Sequence, residues 1–292
     1  MQQFIELTLS GIAAGMVYAA LALALVLIWR GTRVLNYAQG AMAMFTSYIA
    51  LTVISATGSY WLGFVVALAA GLALGALVER TVIRPVTGKG PLNAVIVSIG
   101  LLILLEGLAG VIYSSNNRSF PSGFSSIHGL SIGSVDLGIT NNDLFTAVAV
   151  VAAACLLAVV FQFTPVGLRL RATAFNASVA RLLGVRVGRM LTLGWALAGL
   201  LGALAGMLVS PPIINPNSMD AIFVLGFTAA VIGGLESPAG AVAGGLLLGV
   251  VLNYASGYLG SESVNLFGLA ALLLVLMFRP SGLFAAAPAR RV

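Results

Sequence analysis

Few residues in this chain are of a type that could do chemistry, and they fall into two groups. One group is polar and sparse: Asn36, Gln39, Asn93, Ser98 and Thr228 interrupt long apolar runs, with Gly233 five positions beyond Thr228. Uncharged groups of this kind can line a pathway through the interior. Each can equally serve as an interhelical hydrogen bond, worth about 0.6 kcal/mol on average. Glu106 is the one acid well inside an apolar run, about seven residues or 10 Å from its far end. A carboxylate there is either functional, or it reaches the interface or shares a proton with a neighbour. The second group is basic. RATAFNASVARLLGVRVGR, from Arg171 to Arg189, holds four of the fourteen Lys and Arg residues, Arg169 adds a fifth, and no acid occurs between Asp143 and Asp220.

Other chemistries lack their reagents. Cys155 is a single cysteine in an apolar run, so no intrachain disulfide and no cysteine metal cluster can form. The lone His128 lies in a Ser- and Gly-rich loop and reads as an ordinary loop histidine. The one Gly-Lys pair, Gly88-Lys89, is followed by Gly90 and lacks the spaced upstream glycine of a phosphate-binding loop. The expectation is a chain that is not an enzyme and binds no cofactor or metal.

The elements that position these residues follow from composition. Hydrophobic residues make up 60% of the 292 and charged residues 8%, far below the roughly 25% of soluble domains, and the mean hydropathy is +1.09. Long apolar stretches without period-two alternation predict α-helical membrane spans, not barrel strands. The net charge of +6 then marks a cytoplasmic rim and argues against nucleic acid. Nine candidate segments appear, at about 4–28, 38–56, 61–78, 92–113, 144–163, 190–213, 221–235, 239–258 and 264–278. The first lacks a basic leader and a cleavage site and reads as a mature span. The segments at 221–235 and 264–278 are short for an untilted crossing of some 30 Å and suggest broken or re-entrant helices. The fold class expected is an all-α polytopic transmembrane bundle of about eight to ten segments in one domain over 1–292.

Strict alternation places 29–37, 79–91, 164–189 and the C-terminus on one side, and with them thirteen of the fourteen basic residues, leaving only Arg118 opposite. Five of the eight acids (Glu6, Asp136, Asp143, Asp220 and Glu262) fall at the other rim. This predicts the N-terminus outside and the C-terminus inside, with 114–142 as an external loop too small to bury its own core. Glycines four apart, such as Gly11 and Gly15 or Gly245 and Gly249, permit close helix approach. They barely exceed chance in so glycine-rich a chain, and no subunit interface is assigned from them.

Within 164–189, Thr164-Pro165 reads as a helix start and Gly184 as the residue past a helix end. Between them Leu168, Ala172, Phe175, Val179 and Leu182 form one helical stripe, with Arg169, Arg171 and Arg181 off it. Two readings stand: a helix lying in the headgroup region, or a docking element for a soluble cytoplasmic partner with Arg181, Leu182 and Leu183 at its tip.

RATAFNASVARLLGVRVGR resembles the cytoplasmic coupling loop of permease subunits in ABC importers for branched-chain amino acids. RGTRVLNYAQGAMAMFTSYIA after the first span, VIGGLESPAGAVAGG before the eighth and RPSGLF near the C-terminus resemble the same family in the same order, and together they cover most of the chain. The immediate entry into the first span is similar to the smaller LivH-type subunit more than to the LivM-type partner. Where family members often carry Asn-Phe-Ala-His-Gly, this chain has Asn36, Tyr37, Ala38, Gln39 and Gly40, and its coupling loop offers Asn176 and Ser178 where an acid is common.

The resemblance implies an inner-membrane permease that carries branched-chain or other apolar amino acids by alternating access. It implies pairing with a second, LivM-type permease, two ATP-binding subunits that use the ATP, and a periplasmic amino-acid-binding protein. Arg171, Phe175, Val179, Arg181, Leu182, Leu183 and Gly184 would then form the ATPase-coupling surface, and the polar groups named above, with Glu106 and Gly233, the pathway. The rivals are a permease for a sugar, amide or other small solute, an ion-coupled transporter working alone, for which Glu106 would be the single buried ionisable group, and a passive channel.

Overall fold

A computed structural model describes residues 2–86, 90–124, 129–132, 135–209 and 213–284. Each apolar segment read from the sequence is helical. Seven helices are long and apolar enough to cross a membrane: α1 (Gln2–Thr32), α2 (Gln39–Thr57), α3 (Tyr60–Val78), α4 (Pro91–Tyr113), α5 (Asn141–Phe163), α8 (Val187–Val209) and α10 (Pro238–Leu259). Helices α9 (Asp220–Gly233) and α11 (Ser263–Phe278) are shorter, and α6 (Pro165–Phe175) and α7 (Ala177–Leu182) lie between α5 and α8. Helix α3 runs on into a π-helical turn, Glu79–Ile83.

Two details differ from the sequence expectation. The sixth apolar segment leaves helical form at Val209, and Ile213–Ile214 forms strand β4, antiparallel to β1 (Arg118–Ser119). The external loop also carries a hairpin of β2 (Gly129–Ile132) and β3 (Val135–Thr140). Strands of two to six residues are too short to show an alternation that could be told from chance. Lys89, His128, Arg290 and Arg291 lie outside the described residues.

Helices α1 and α8 form the centre. Helix α1 packs against α10, α8, α9 and α5, and α8 against α3, α1 and α2. Residues 19–28 of α1 are all buried, as expected of a helix apolar all round. In contrast α4 packs mainly on α2, and most of α4 and α5 faces outward. That arrangement is a peripheral layer, with apolar side chains turned outward from the bundle.

The glycine pairs turn out to be seams inside the chain. A Cβ on Gly11 would lie 2.8 Å from the Val250 Cα, one on Gly15 2.8 Å from the Gly245 carbonyl oxygen, and one on Gly245 2.6 Å from the Ala19 nitrogen. Backbone therefore meets backbone along α1 and α10, and Gly71, Gly75 and Gly199 do the same between α3 and α8. Lipid tails are as apolar as side chains, so close van der Waals packing of this kind supplies much of the association. Gly15→Leu is expected to force α1 and α10 apart and abolish the monodisperse folded peak in detergent size-exclusion chromatography. Gly100→Leu, at a position with nothing within 4 Å, should elute as the parent does.

The loops sort to two ends. Arg33 pairs with Glu236, Arg84 donates to the Gly188 carbonyl at 2.7 Å, and the Leu283 amide donates to the Ile232 carbonyl at 2.8 Å. These contacts join the α1–α2, α9–α10 and C-terminal segments to one another and the α3–α4 connection to the start of α8, at an arginine-rich end. At the opposite end Tyr254 of α10 meets Thr8 of α1 with 2.6 Å between their hydroxyls, and Asn215 donates to Asn117 at 3.2 Å.

Candidate functional site

The basic segment is built as a bracket on the arginine-rich end. Thr164 starts α6 as expected: its hydroxyl accepts the Gly167 amide at 3.1 Å and donates to the Val160 carbonyl at 2.6 Å. The far end closes as expected too. Gly184 has φ +80°, its amide donates to Arg181, and the Val185 amide donates to Ala180, the paired bonds of a Schellman turn.

Between these ends the single helix of the sequence reading is two. Asn176 is extended, and its side-chain oxygen accepts the amides of Ser178 and Val179, each at 3.0 Å. An Asn side chain competes with the backbone in this way and starts a new helix. The stripe is not the buried face either. Gly167, Leu170, Thr173 and Ala180 are buried, whereas Phe175 is 94% exposed, Leu182 87% and Leu183 77%. Small residues let α6 lie tightly on the end of α5, where a Cβ on Gly167 would overlap Phe161, and the larger apolar groups are turned outward. Phe175, Val179, Arg181, Leu182, Leu183 and Gly184 thus share an exposed prow. Arg171 stands apart from it, lining a cleft against the end of α1.

The polar candidates form a buried staple near the same end. The Asn36 side-chain amide donates to the Gln39 side-chain oxygen at 2.9 Å, and the Gln39 amide donates to the Ala198 carbonyl of α8 at 2.9 Å. The Tyr37 amide approaches Ser98 Oγ at 3.4 Å, and Ser98 donates to Val95 at 2.8 Å. Asn36, Gln39 and Ser98 therefore tie the α1–α2 turn to α8 and α4. Thr228 is buried and bonded within its own helix to Val224. Gly233 is a contact point where α9 touches Gly240 of α10. Asn93, near the start of α4, is exposed. Tyr37 is half-exposed beside Phe223 and Phe227 of α9, with ring centroids 6.4 and 6.5 Å away. Gln39→Ala, which removes the bonds from Asn36 and to Ala198 and leaves the Asn36 amide only the Met42 sulfur at 3.5 Å, is expected to lower stability by about 1–2 kcal/mol, read as a drop in the detergent-solubilised melting temperature.

Glu106 is not alone. Its carboxyl lies close enough to that of Asp220 for the two charges to interact, and Asn217 donates to Asp220 at 3.2 Å. Asp220 opens α9, so this short helix begins level with Glu106, well below the end of α4.

Comparison with known proteins now bears on this geometry. The family model described as branched-chain amino acid transport system, permease component, matches residues 7–278. The chain belongs to this family. It is 30% identical to the high-affinity branched-chain amino acid transport system permease protein LivH of Salmonella typhimurium, over 96% of this chain and 95% of that one. It is 28% identical to the corresponding permease protein BraD of Pseudomonas aeruginosa, with the same coverage. A solved structure of a metal-chelate type ABC transporter in an inward-facing conformation shares the fold, with a TM-score of 0.52 at 16% identity over 94% of this chain and 86% of that one. The chain is thus a LivH-type membrane permease subunit of an ABC importer.

In this LivH-type permease three of the motif stretches that carried the resemblance meet. Arg33, at φ +58° where the chain leaves α1, pairs with Glu236, and Phe284 as well as Leu283 bonds back to the end of α9. The sequence reading missed a second junction. Glu79 is buried, and Arg84 donates to both of its oxygens, Nε at 3.1 Å and Nη2 at 2.7 Å. Thr192 of α8 adds a bond to Glu79 at 2.8 Å, and Arg84 reaches the Gly188 carbonyl. This cluster latches the end of α3 to the start of α8, immediately after the basic segment.

Proposed function

We propose that this permease moves branched-chain or other apolar amino acids inward, and that α6 and α7 are the element through which two ATP-binding subunits drive it. The observation that carries the reading is the exposed prow of Phe175, Val179, Leu182 and Leu183 in a segment with five arginines and no acid. A helix lying flat in the headgroups would bury those side chains in lipid and turn its arginines away. Here Phe175, Leu182 and Leu183 are exposed together with Arg181, so apolar and cationic groups are presented side by side.

In this reading the arginine-rich end faces the cytoplasm and the N-terminus the periplasm. ATP is bound and hydrolysed on the partner subunits. A periplasmic binding protein delivers the amino acid, and a LivM-type permease completes the pathway. Closure of the ATPase pair would push the bracket, whose buried face rests on α5 and whose ends continue into α5 and α8. Both spans would move with it as rigid bodies.

Two experiments test this. A cysteine placed at Ser178 in a Cys155→Ser chain should react with an impermeant maleimide only after the cells are opened; labelling from outside intact cells would invert the topology. In proteoliposomes holding the chain with its companion permease and ATP-binding subunits, leucine uptake should require both ATP and the binding protein. Uptake by this chain alone would sink the importer reading.

A further inference from the structure

A groove runs along the bundle between α5 and α10, floored by α1, with a volume of about 870 Å³. Its walls are apolar, chiefly Leu23, Leu27, Ala154, Leu157, Phe161 and Val242, and its mouth carries Arg30 and Arg171. Cys155 and Ala158 on its α5 side are exposed, so it opens outward toward the hydrocarbon. Leu23 lies seven residues from Arg30, roughly 10 Å deeper along α1. The groove is therefore greasy in the depth of an acyl chain and doubly positive at the level of a headgroup.

Neither arginine is neutralised among the described residues. The acid nearest Arg30 is Glu236, which is already paired with Arg33, and Arg30 and Arg171 feel each other's charge. A second, smaller cavity of about 30 Å³ shares Leu27, Arg30, Phe161 and Arg171 with the groove. It has room for a water or two. Thr173 and Trp195 line it, both buried, and neither Thr173 Oγ1 nor Trp195 Nε1 has a hydrogen-bond partner. An indole N–H and a guanidinium only donate, so the site as built asks for an acceptor, and for an anionic one.

We infer that the groove seats one anionic glycerophospholipid, with an acyl chain between α5 and α10 and its phosphate between Arg30 and Arg171. Its headgroup oxygens, or a water held by them, would satisfy Thr173 and Trp195. The lipid would then fill the cleft between α1 and α6, bracing the coupling helix against the centre of the bundle. The assignment to the inner leaflet rests on the orientation proposed above; the binding does not.

The test is native mass spectrometry of the delipidated full chain in detergent, titrated with phosphatidylglycerol or with phosphatidylcholine of the same acyl chains. Each arginine near a lipid phosphate adds roughly a fivefold preference, so phosphatidylglycerol is expected to bind roughly tenfold to thirtyfold more tightly. The Arg30→Gln, Arg171→Gln double variant should fall to the phosphatidylcholine level, and Arg80→Gln, away from the groove, should not. Ala158→Trp, which fills the groove and keeps both arginines, should weaken both lipids together. Equal retention of the two lipids would overturn the inference, as would phosphatidylglycerol binding untouched by either the double variant or Ala158→Trp. Displacement by millimolar inorganic phosphate would reassign the site to a free anion, and loss of bound lipid when the companion permease is added would reassign the groove to a subunit contact; both count against it.

Discussion

Arg84→Ala is expected to cost about 1–3 kcal/mol of folding stability, because it removes the half-exposed partner of a buried charge. Glu79 would keep one bond, from Thr192, and lose the two from Arg84. The cost is the desolvation of a carboxylate left among apolar neighbours, which is why deleting the acid as well should relieve it. A Glu79→Met, Arg84→Met double variant is expected to recover most of the loss, since well-packed apolar substitutes for buried ion pairs are often neutral or better. Thr192 tolerates the exchange because its hydroxyl can donate to Gly188 at 2.9 Å. Melting temperatures of the parent and the two variants in the same detergent settle the matter; a double variant as unstable as Arg84→Ala would show that Arg84 acts through its other bonds.

Phe175→Asp combined with Leu182→Asp should leave the melting temperature unchanged and stop ATP-driven uptake. Both side chains are almost wholly exposed, so the fold loses no packing when they go. An interface that uses them as anchors loses about 2–4 kcal/mol, a roughly thirtyfold to thousandfold fall in affinity. The predicted pattern is a folded chain that no longer co-purifies the ATP-binding subunits and whose leucine uptake in proteoliposomes drops to the ATP-free background. Retained co-purification together with retained uptake would remove the prow from the coupling surface.

The membrane segments were legible because about twenty apolar residues in a row have few other uses, and the two ends of the coupling segment because Thr-Pro and Gly carry their own backbone preferences. Its middle was not. Amphipathicity assumes that large apolar groups go inward, yet Gly167, Thr173 and Ala180 are the buried ones here, and Phe175 and Leu182 are exposed. Glu79 and Arg84 were hidden by spacing. Five residues apart in an α-helix are about 140° apart around the axis, and only the π-helical turn, with Arg84 N donating to Glu79 O at 2.7 Å, swings one side chain round to the other. Asp220 was counted as a rim acid since nothing in the sequence says that α9 begins level with Glu106. Gly11, Gly15, Gly245 and Gly249 were visible as pairs, but their partners were not, because a seam is a relation between helices that are distant in sequence.

The late start of α9 restricts what can stand beside it. The chain from 213 to 219 that leads into it is not helical, and beyond the strand pair at Ile213–Ile214 it runs to the start of α9 beside Glu106, seven residues before the end of α4. Peptide groups without ladder partners are not tolerated against acyl chains; they must be covered by protein or wetted. Ile214 and Met219 are sheltered by the bundle, but Asn217 and Asp220 are not. The flank bearing α9 and the outer half of α4 must consequently border either an aqueous vestibule or another subunit, and the bilayer proper begins only around the corner, on the faces of α3, α5 and α11.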